Sequence, residues 1–311
     1  MTRVAAVDCG TNSIRLLIAD TDGQCLTDVV RRMEIVRLGQ GVDVTGRIAP
    51  ESMERTLRVA GEYAEQCRAA NVERVRFVAT SASRDADNSA DFIRGISAAF
   101  GDFGIEPEVV TGAEEARLSF RGATSVALAT TPAPYLVVDL GGGSTEFVLG
   151  THDVTAARSV NIGCVRFTER HLHTDPPTSA EIAAALVDIN AAIDDAAQFV
   201  PLERAGALIG LAGSVTTVTA HALGLTAYDP ETIHGAALTV QEVHRSCDAL
   251  LHATRAERAA LGYMHPGRVD VIGSGALIWR TIVDRVSALT GIDEVLASEH
   301  DILDGIALGL A

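Results

Sequence analysis

The sequence predicts an α/β protein of two similarly built domains, and three observations carry that prediction. Apolar runs of strand length alternate with segments of helical periodicity along the 311 residues. A glycine-turn stretch led by an acid, Asp8-Cys9-Gly10-Thr11-Asn12-Ser13-Ile14-Arg15, recurs as Asp139-Leu140-Gly141-Gly142-Gly143-Ser144-Thr145-Glu146. Aligned without gaps, Asp8 falls on Asp139, Gly10 on Gly141, Ser13 on Ser144 and Arg15 on Glu146. The offset is 139 − 8 = 131 residues, close to a domain length.

The later copy is the more explicit. Tyr135–Val138 reads as a buried strand, the three glycines as a sharp turn, and Phe147–Leu149 as the returning strand. Successive glycines let backbone N–H groups converge on one point with no Cβ in the way, which makes an anion nest. A carboxylate at the strand end beside such a nest suits a hydrated divalent cation held together with phosphate oxygens. One copy alone reads equally well as an ordinary glycine hairpin. Two copies, one per domain, favour two phosphate half-sites facing across a cleft.

Hydrophobic residues make up 47% of the chain and no apolar run reaches membrane-spanning length, so a soluble globular protein is expected. The chain opens directly on a strand, leaving no place for a signal peptide. Cys9, Cys25, Cys67, Cys164 and Cys247 form no CxxC pair and read as small core residues in a reducing cytoplasm. All 25 basic residues are Arg. That excludes a Walker lysine and lysine Schiff-base chemistry, and any cation on a phosphate must be an Arg. A net charge of −16 argues against nucleic acid or an anionic membrane as partner.

In chain order, strands over 4–8, 14–20 and 25–39 form a meander, and Pro50 opens a helix running to about residue 70. Strand 74–79 ends in the polar run Thr80-Ser81-Ala82-Ser83-Arg84, which in α/β folds faces a ligand crevice. Asn88 is expected to cap a helix to about residue 100, and Glu106–Val110 forms a further strand. Thr111 and Glu114 form a capping box that opens the helix Glu114–Val126. Glu114 thus has a structural task in the cap and could pair with Arg117, whereas Glu115 lies about 100° further round the helix and has no such task. The segment Ala127–Pro134 is the expected crossing between domains. Strands 135–139, 144–150 and 154–160 then repeat the meander, followed by a helix around Val165–Leu172. His171 and His173 read as surface histidines, and Thr178 with Glu181 as a second capping box. Strand 206–211 runs into Gly210-Leu211-Ala212-Gly213-Ser214-Val215-Thr216-Thr217, a turn suited to setting a helix N-terminus near a phosphate or nucleotide. Gly273-Ser274-Gly275-Ala276 reads as a close-packing element consistent with an inter-domain hinge, and Ser298–Asp301 as the cap of a terminal helix Ile302–Leu310.

Together these motifs resemble the exopolyphosphatase and guanosine pentaphosphate phosphohydrolase (Ppx/GppA) family. The likeness rests on residues 8–18, Ala79–Arg84, Thr111–Arg117, Asp139–Glu146 and Gly210–Thr217, and covers essentially the whole chain. It is closest to short two-domain actinobacterial members, without the C-terminal helical domain of longer relatives. The resemblance implies two ribonuclease-H-like domains of the actin, sugar kinase and heat-shock ATPase superfamily. Domain I would comprise 1–128 with the C-terminal helix 298–311, and domain II 129–297.

The family's catalytic carboxylate is the second Glu of its Gly-x-Glu-Glu-Ala-Arg motif, which maps onto Glu115. Arg84 matches a phosphate-contacting arginine, and Asp139 and Glu146 match acidic positions near metal and phosphate. The expected phosphate ligands are therefore Gly10, Thr11, Asn12, Ser13, Arg15, Thr80, Ser81, Arg84, Gly141, Gly142, Gly143, Ser144, Thr145, Gly213 and Ser214. Mg²⁺ (or Mn²⁺) would be held by Asp139, Glu146 and Asp8. The implied activity is metal-dependent release of orthophosphate from the end of inorganic polyphosphate, preferably short chains. Guanosine pentaphosphate (pppGpp) is the alternative substrate. A phosphotransferase and a non-enzymatic polyphosphate or alarmone sensor are the rival readings, and a homodimer is expected.

Overall fold

The structure, a computed structural model, describes residues 1–124 and 131–311. The chain forms two compact units, Met1–Val126 with Asp301–Ala311, and Ala127–His300. Residues 127–130 of the expected crossing lie outside the described residues.

In the first unit β1 (Thr2–Cys9), β2 (Ser13–Thr21) and β3 (Leu26–Ile35) form an antiparallel meander. β4 (Arg74–Ala79) and β5 (Glu108–Val109) extend it in parallel, giving the order β3-β2-β1-β4-β5. The run Val4-Ala5-Ala6-Val7 is continuously apolar because β1 is covered on both faces. Ala5 and Val7 join a core with Val59, Tyr63 and Phe92 of the helices Pro50–Ala69 and Ser89–Ala99. Val4 and Ala6 join another with Leu118, Ile302 and Ile306 of the helices Gly112–Thr124 and Ile302–Leu308. Asp8 continues the even row and so lies on this second face.

A Cβ on Gly122 would strike the Asp301 carbonyl, and one on Gly305 the Leu118 carbonyl. The helices Gly112–Thr124 and Ile302–Leu308 therefore touch backbone to backbone. The terminal helix is capped by Asp301, which accepts from the Leu303 N–H at 3.0 Å, while Asp304 accepts from the Asp301 N–H at 3.0 Å. Asn88 stands at its expected cap position without capping. Its amide instead bonds both backbone groups of Ile48, at 2.9 and 3.0 Å, and staples a neighbouring loop.

In the second unit β6 (Tyr135–Leu140), β7 (Thr145–Gly150) and β8 (Val154–Val160) repeat the antiparallel meander. β9 (Ala207–Leu211) and β11 (Glu294–Ala297) add in parallel, and β10 (Ala237–Thr239) closes the edge, in the order β10-β11-β9-β6-β7-β8. Apart from that edge strand, both sheets share one topology, the ribonuclease-H-like arrangement. The second core centres on Phe147, Leu208 and Trp279.

Three expectations need correction. Gly273–Ala276 lies within the helix Ile272–Thr290 and serves packing inside the second unit. A Cβ on Gly275 would sit 2.8 Å from the Ser214 Cβ and 3.3 Å from that of Cys164, so the small residues form an internal contact, not a hinge. Cys25 is exposed in the β2–β3 turn, whereas the other four cysteines are buried. His171 is largely covered, its ring 5.0 Å from that of Phe167 and its Nε2 3.0 Å from Asp188.

Candidate functional site

The first half-site is built on the β1–β2 turn. Gly10 N–H donates to the Ser13 carbonyl at 2.9 Å, closing the turn. The carbonyls behind it are held by the segment after β3. Thr11 O accepts from Gly39 N–H at 2.8 Å, and Asn12 O from Val36 and Arg37 N–H at 3.0 and 2.8 Å. Because a trans peptide directs its N–H opposite to its C=O, the 11–12 and 12–13 peptides turn their N–H groups to the other side. β4 delivers Thr80 next to this turn, with Thr80 N–H donating to Cys9 O at 3.1 Å, and Ser81–Asp85 then forms a short helix.

Arg84 meets Glu115 here. Its Nη1 donates to Glu115 Oε2 at 2.6 Å and to Val110 O at 3.0 Å. Its other nitrogens have no hydrogen-bond partner among the described residues, so most of its five N–H donors stand available. Glu115 is 8% exposed, in the first turn of the helix Gly112–Thr124. Glu114 differs as expected. Its N–H donates to Thr111 Oγ1 at 3.2 Å, and its carboxylate pairs with Arg117 at 3.3 Å and Arg76 at 3.6 Å.

Asp8 Oδ1, Thr11 Oγ1, Asn12 Oδ1 and Ser83 Oγ are buried here without a hydrogen-bond partner among the described residues. Folded proteins leave few such atoms, and a cluster of them marks a place for a ligand. Arg15 has another part than the expected phosphate contact. It binds Asp8 Oδ2 through Nη2 at 2.7 Å and pairs with Asp301 through Nη1, tying β1, β2 and the terminal helix. Burial pushes the Asp8 carboxyl above its ordinary value although Arg15 draws it down.

The second half-site is the β6–β7 turn. Gly141 O accepts from Cys164 N–H at 3.0 Å, and Gly142 O from Val165 and Arg166 N–H at 2.9 and 3.1 Å. Gly143 O accepts from Arg166 Nε at 2.7 Å. All three carbonyls thus point to the start of the helix Cys164–His171, and the N–H groups of Gly142, Gly143 and Ser144 face away from it. Asp139 and Glu146 are cross-strand partners, as Asp8 and Arg15 are in the first unit. Glu146 Oε1 accepts from Ser159 Oγ at 2.6 Å. Thr145 is fully buried and its hydroxyl donates to Ile162 O at 2.7 Å, so it pins the turn rather than presenting a side chain to a ligand.

β9 pairs with β6 so that Leu211 stands opposite Asp139, which sets the start of the helix Ala212–Ala222 beside the glycine loop. Ala212 adopts φ 69°, a left-handed conformation costly for a residue with a Cβ. Gly213 carries the Arg268 guanidinium so closely that a Cβ would come within 2.5 Å of its Cζ. Ser214 is 5% exposed against the helix Ile272–Thr290. Arg166, Ser159 and Arg268 escape a reading of the sequence. A cation in a first helical turn, against the dipole, is the one signal that could have marked Arg166.

The geometry agrees with the comparisons. The model of the Ppx/GppA phosphatase family matches residues 17–309. The chain is 51% identical to "Exopolyphosphatase 2" of Mycobacterium tuberculosis, over 100% of this chain and 99% of that protein. A crystal structure of an exopolyphosphatase-like protein superposes with a TM-score of 0.96 at 46% identity, covering 99% of this chain and 97% of the other. An exopolyphosphatase from Cytophaga hutchinsonii superposes with a TM-score of 0.84 at 27% identity, covering 98% and 96%. Sequence, topology and the doubled turn converge: the chain belongs to the Ppx/GppA phosphatase family.

Proposed function

We propose that this protein is an exopolyphosphatase that hydrolyses the terminal phosphoanhydride of inorganic polyphosphate, preferably in short chains. The observation that carries the reading is the cluster of orphaned polar atoms on Asp8, Thr11, Asn12 and Ser83 beside the Arg84–Glu115 pair. The full-length similarity to a protein named exopolyphosphatase supports the substrate class.

The N–H groups of 12–13 and the remaining Arg84 donors take the phosphoryl oxygens in the first unit, and the N–H groups of 142–144 form a like anion nest in the second. Glu115, oriented by Arg84, accepts a proton from water as its oxygen bonds to phosphorus and the bridging P–O bond breaks toward the shortened chain. Phosphoryl transfer depends mainly on such positioning and electrostatics. Proton acceptance of this kind contributes roughly 10²–10⁴-fold, about 3–5 kcal/mol.

The residues fit Mg²⁺ or Mn²⁺. Asp8 holds a buried carboxylate oxygen with no hydrogen-bond partner among the described residues, which suits such a cation, and Asp139 and Glu146 stand as cross-strand carboxylates in the second unit. No group of three His, Cys, Asp or Glu side chains forms a metal cage among the described residues. When bound, the ion would neutralise charge on the transferring phosphoryl group.

The test is phosphate release by purified protein, with and without Mg²⁺, from short polyphosphate, long polyphosphate, pppGpp and ATP. Metal-dependent release fastest on short polyphosphate is expected. Binding of polyphosphate without release would overturn the hydrolase in favour of a sensor, and a preference for pppGpp would replace the substrate.

A further inference from the structure

Three consecutive carbonyls of the second unit's glycine loop are held from one side, but by different means. Those of Gly141 and Gly142 accept backbone N–H groups that any helix start offers. That of Gly143 accepts the Arg166 Nε–H at 2.7 Å, from a side chain 9% exposed. A guanidinium in the first turn of the helix Cys164–His171 opposes the dipole there.

We infer that Arg166 is a positioning residue for phosphate binding, acting through the Gly143 carbonyl. Planarity makes the direction of Gly143 C=O the reverse of that of Ser144 N–H. Holding one therefore aims the other away from the helix, toward the phosphate. Gly143 has no Cβ to resist rotation, so without the guanidinium the 143–144 peptide can swing and carry the donor away. Removing one donor from a site that stabilises developing charge costs roughly 10²–10³-fold in kcat. The inference rests on the proposed phosphate role of this loop.

The experiment compares wild type, R166A and R166Q by phosphate release from tripolyphosphate, thermal unfolding and amide NMR during titration with inorganic phosphate. R166A is expected to lose about 10²-fold in kcat with KM changed less than fivefold. Added guanidinium ion at millimolar concentration should restore at least tenfold of that loss. Phosphate should shift the Ser144 amide in wild type and not in R166A, while the Asn12 amide responds in both. R166A within threefold of wild-type kcat would overturn the inference. So would a loss that follows the unfolded fraction, resists guanidinium and leaves the Ser144 shift intact. If R166A does not fold, R166Q carries the same comparisons. If wild type releases no phosphate from any polyphosphate, the proposed function fails, while the Ser144 and Asn12 shifts still decide the role of Arg166.

Discussion

Replacing Gly163 with Ala should slow turnover roughly 10²-fold in a protein that still folds. Gly163 has φ −161° and ψ 158°, extended backbone open to any residue, so the substitution carries no conformational penalty. Its cost is purely steric. A Cβ would lie 2.5 Å from the Gly142 carbonyl carbon and oxygen and 2.6 Å from Gly143 N. Ordinary contact begins at 3.4 Å, so 3.4 − 2.5 = 0.9 Å must open, and only backbone is present to move. The loop must leave the helix Cys164–His171, lengthening the bonds that aim its N–H groups. A displacement of about 1 Å in a positioning group costs roughly 10²-fold in rate. Overpacking of this kind costs about 1–3 kcal/mol of stability, a fall of several degrees in Tm. Gly39 supplies the contrast, because there the new Cβ meets the Thr11 side chain, which can rotate, and Ala82 Cβ at 3.1 Å. G39A should lose less than tenfold. Steady-state phosphate release and thermal unfolding read both variants. G163A within threefold of wild-type kcat, or no worse than G39A, would refute the reasoning.

Glu115→Gln removes the proton acceptor while keeping its shape, and kcat on short polyphosphate should fall roughly 10²–10⁴-fold with a near-native Tm. A fall below tenfold would move the base elsewhere. Asp8→Asn should act oppositely on stability and activity. Since burial raises the folded-state pKa, the protonated form is favoured, and the stability is present below the ordinary value of 3.8 and lost as pH rises through the folded value. In EDTA at pH 7 the neutral Asn should therefore raise Tm, the gain disappearing near pH 4, while activity is lost. A lower Tm at pH 7 would contradict this. Gly61 lies within the helix Pro50–Ala69 with open space around its Cβ position. G61A should add about 0.5–1 kcal/mol in a denaturant titration without changing turnover.

The sequence was most legible where one local pattern decides the outcome. The strand Arg74–Ala79, the helix opened by Pro50 and the two glycine turns all stand where periodicity and turn chemistry put them. Glu115 separates from Glu114 by a helical-wheel argument that the pairing of Glu114 with Arg117 supports. What stayed hidden depends on partners distant in the chain. Arg15 reads as a phosphate contact until Asp301, 286 residues on, occupies it. Asn88 reads as a cap until the Ile48 backbone takes its amide. Gly163 and Arg166 acquire meaning only once their segment is folded behind Gly141–Gly143.

The backbone contact between the helices Gly112–Thr124 and Ile302–Leu308 bears on how the chain matures during synthesis. Translation delivers the whole of the second unit before the segment Asp301–Ala311 that finishes the first. Nascent chains usually fold their N-terminal domain first. Here the ribosome releases a first unit whose second face, with Val4, Ala6 and Leu118, still awaits Ile302 and Ile306. The N-terminal unit is thus completed only after the second unit has been made, when Ile302 and Ile306 become available to cover Val4, Ala6 and Leu118.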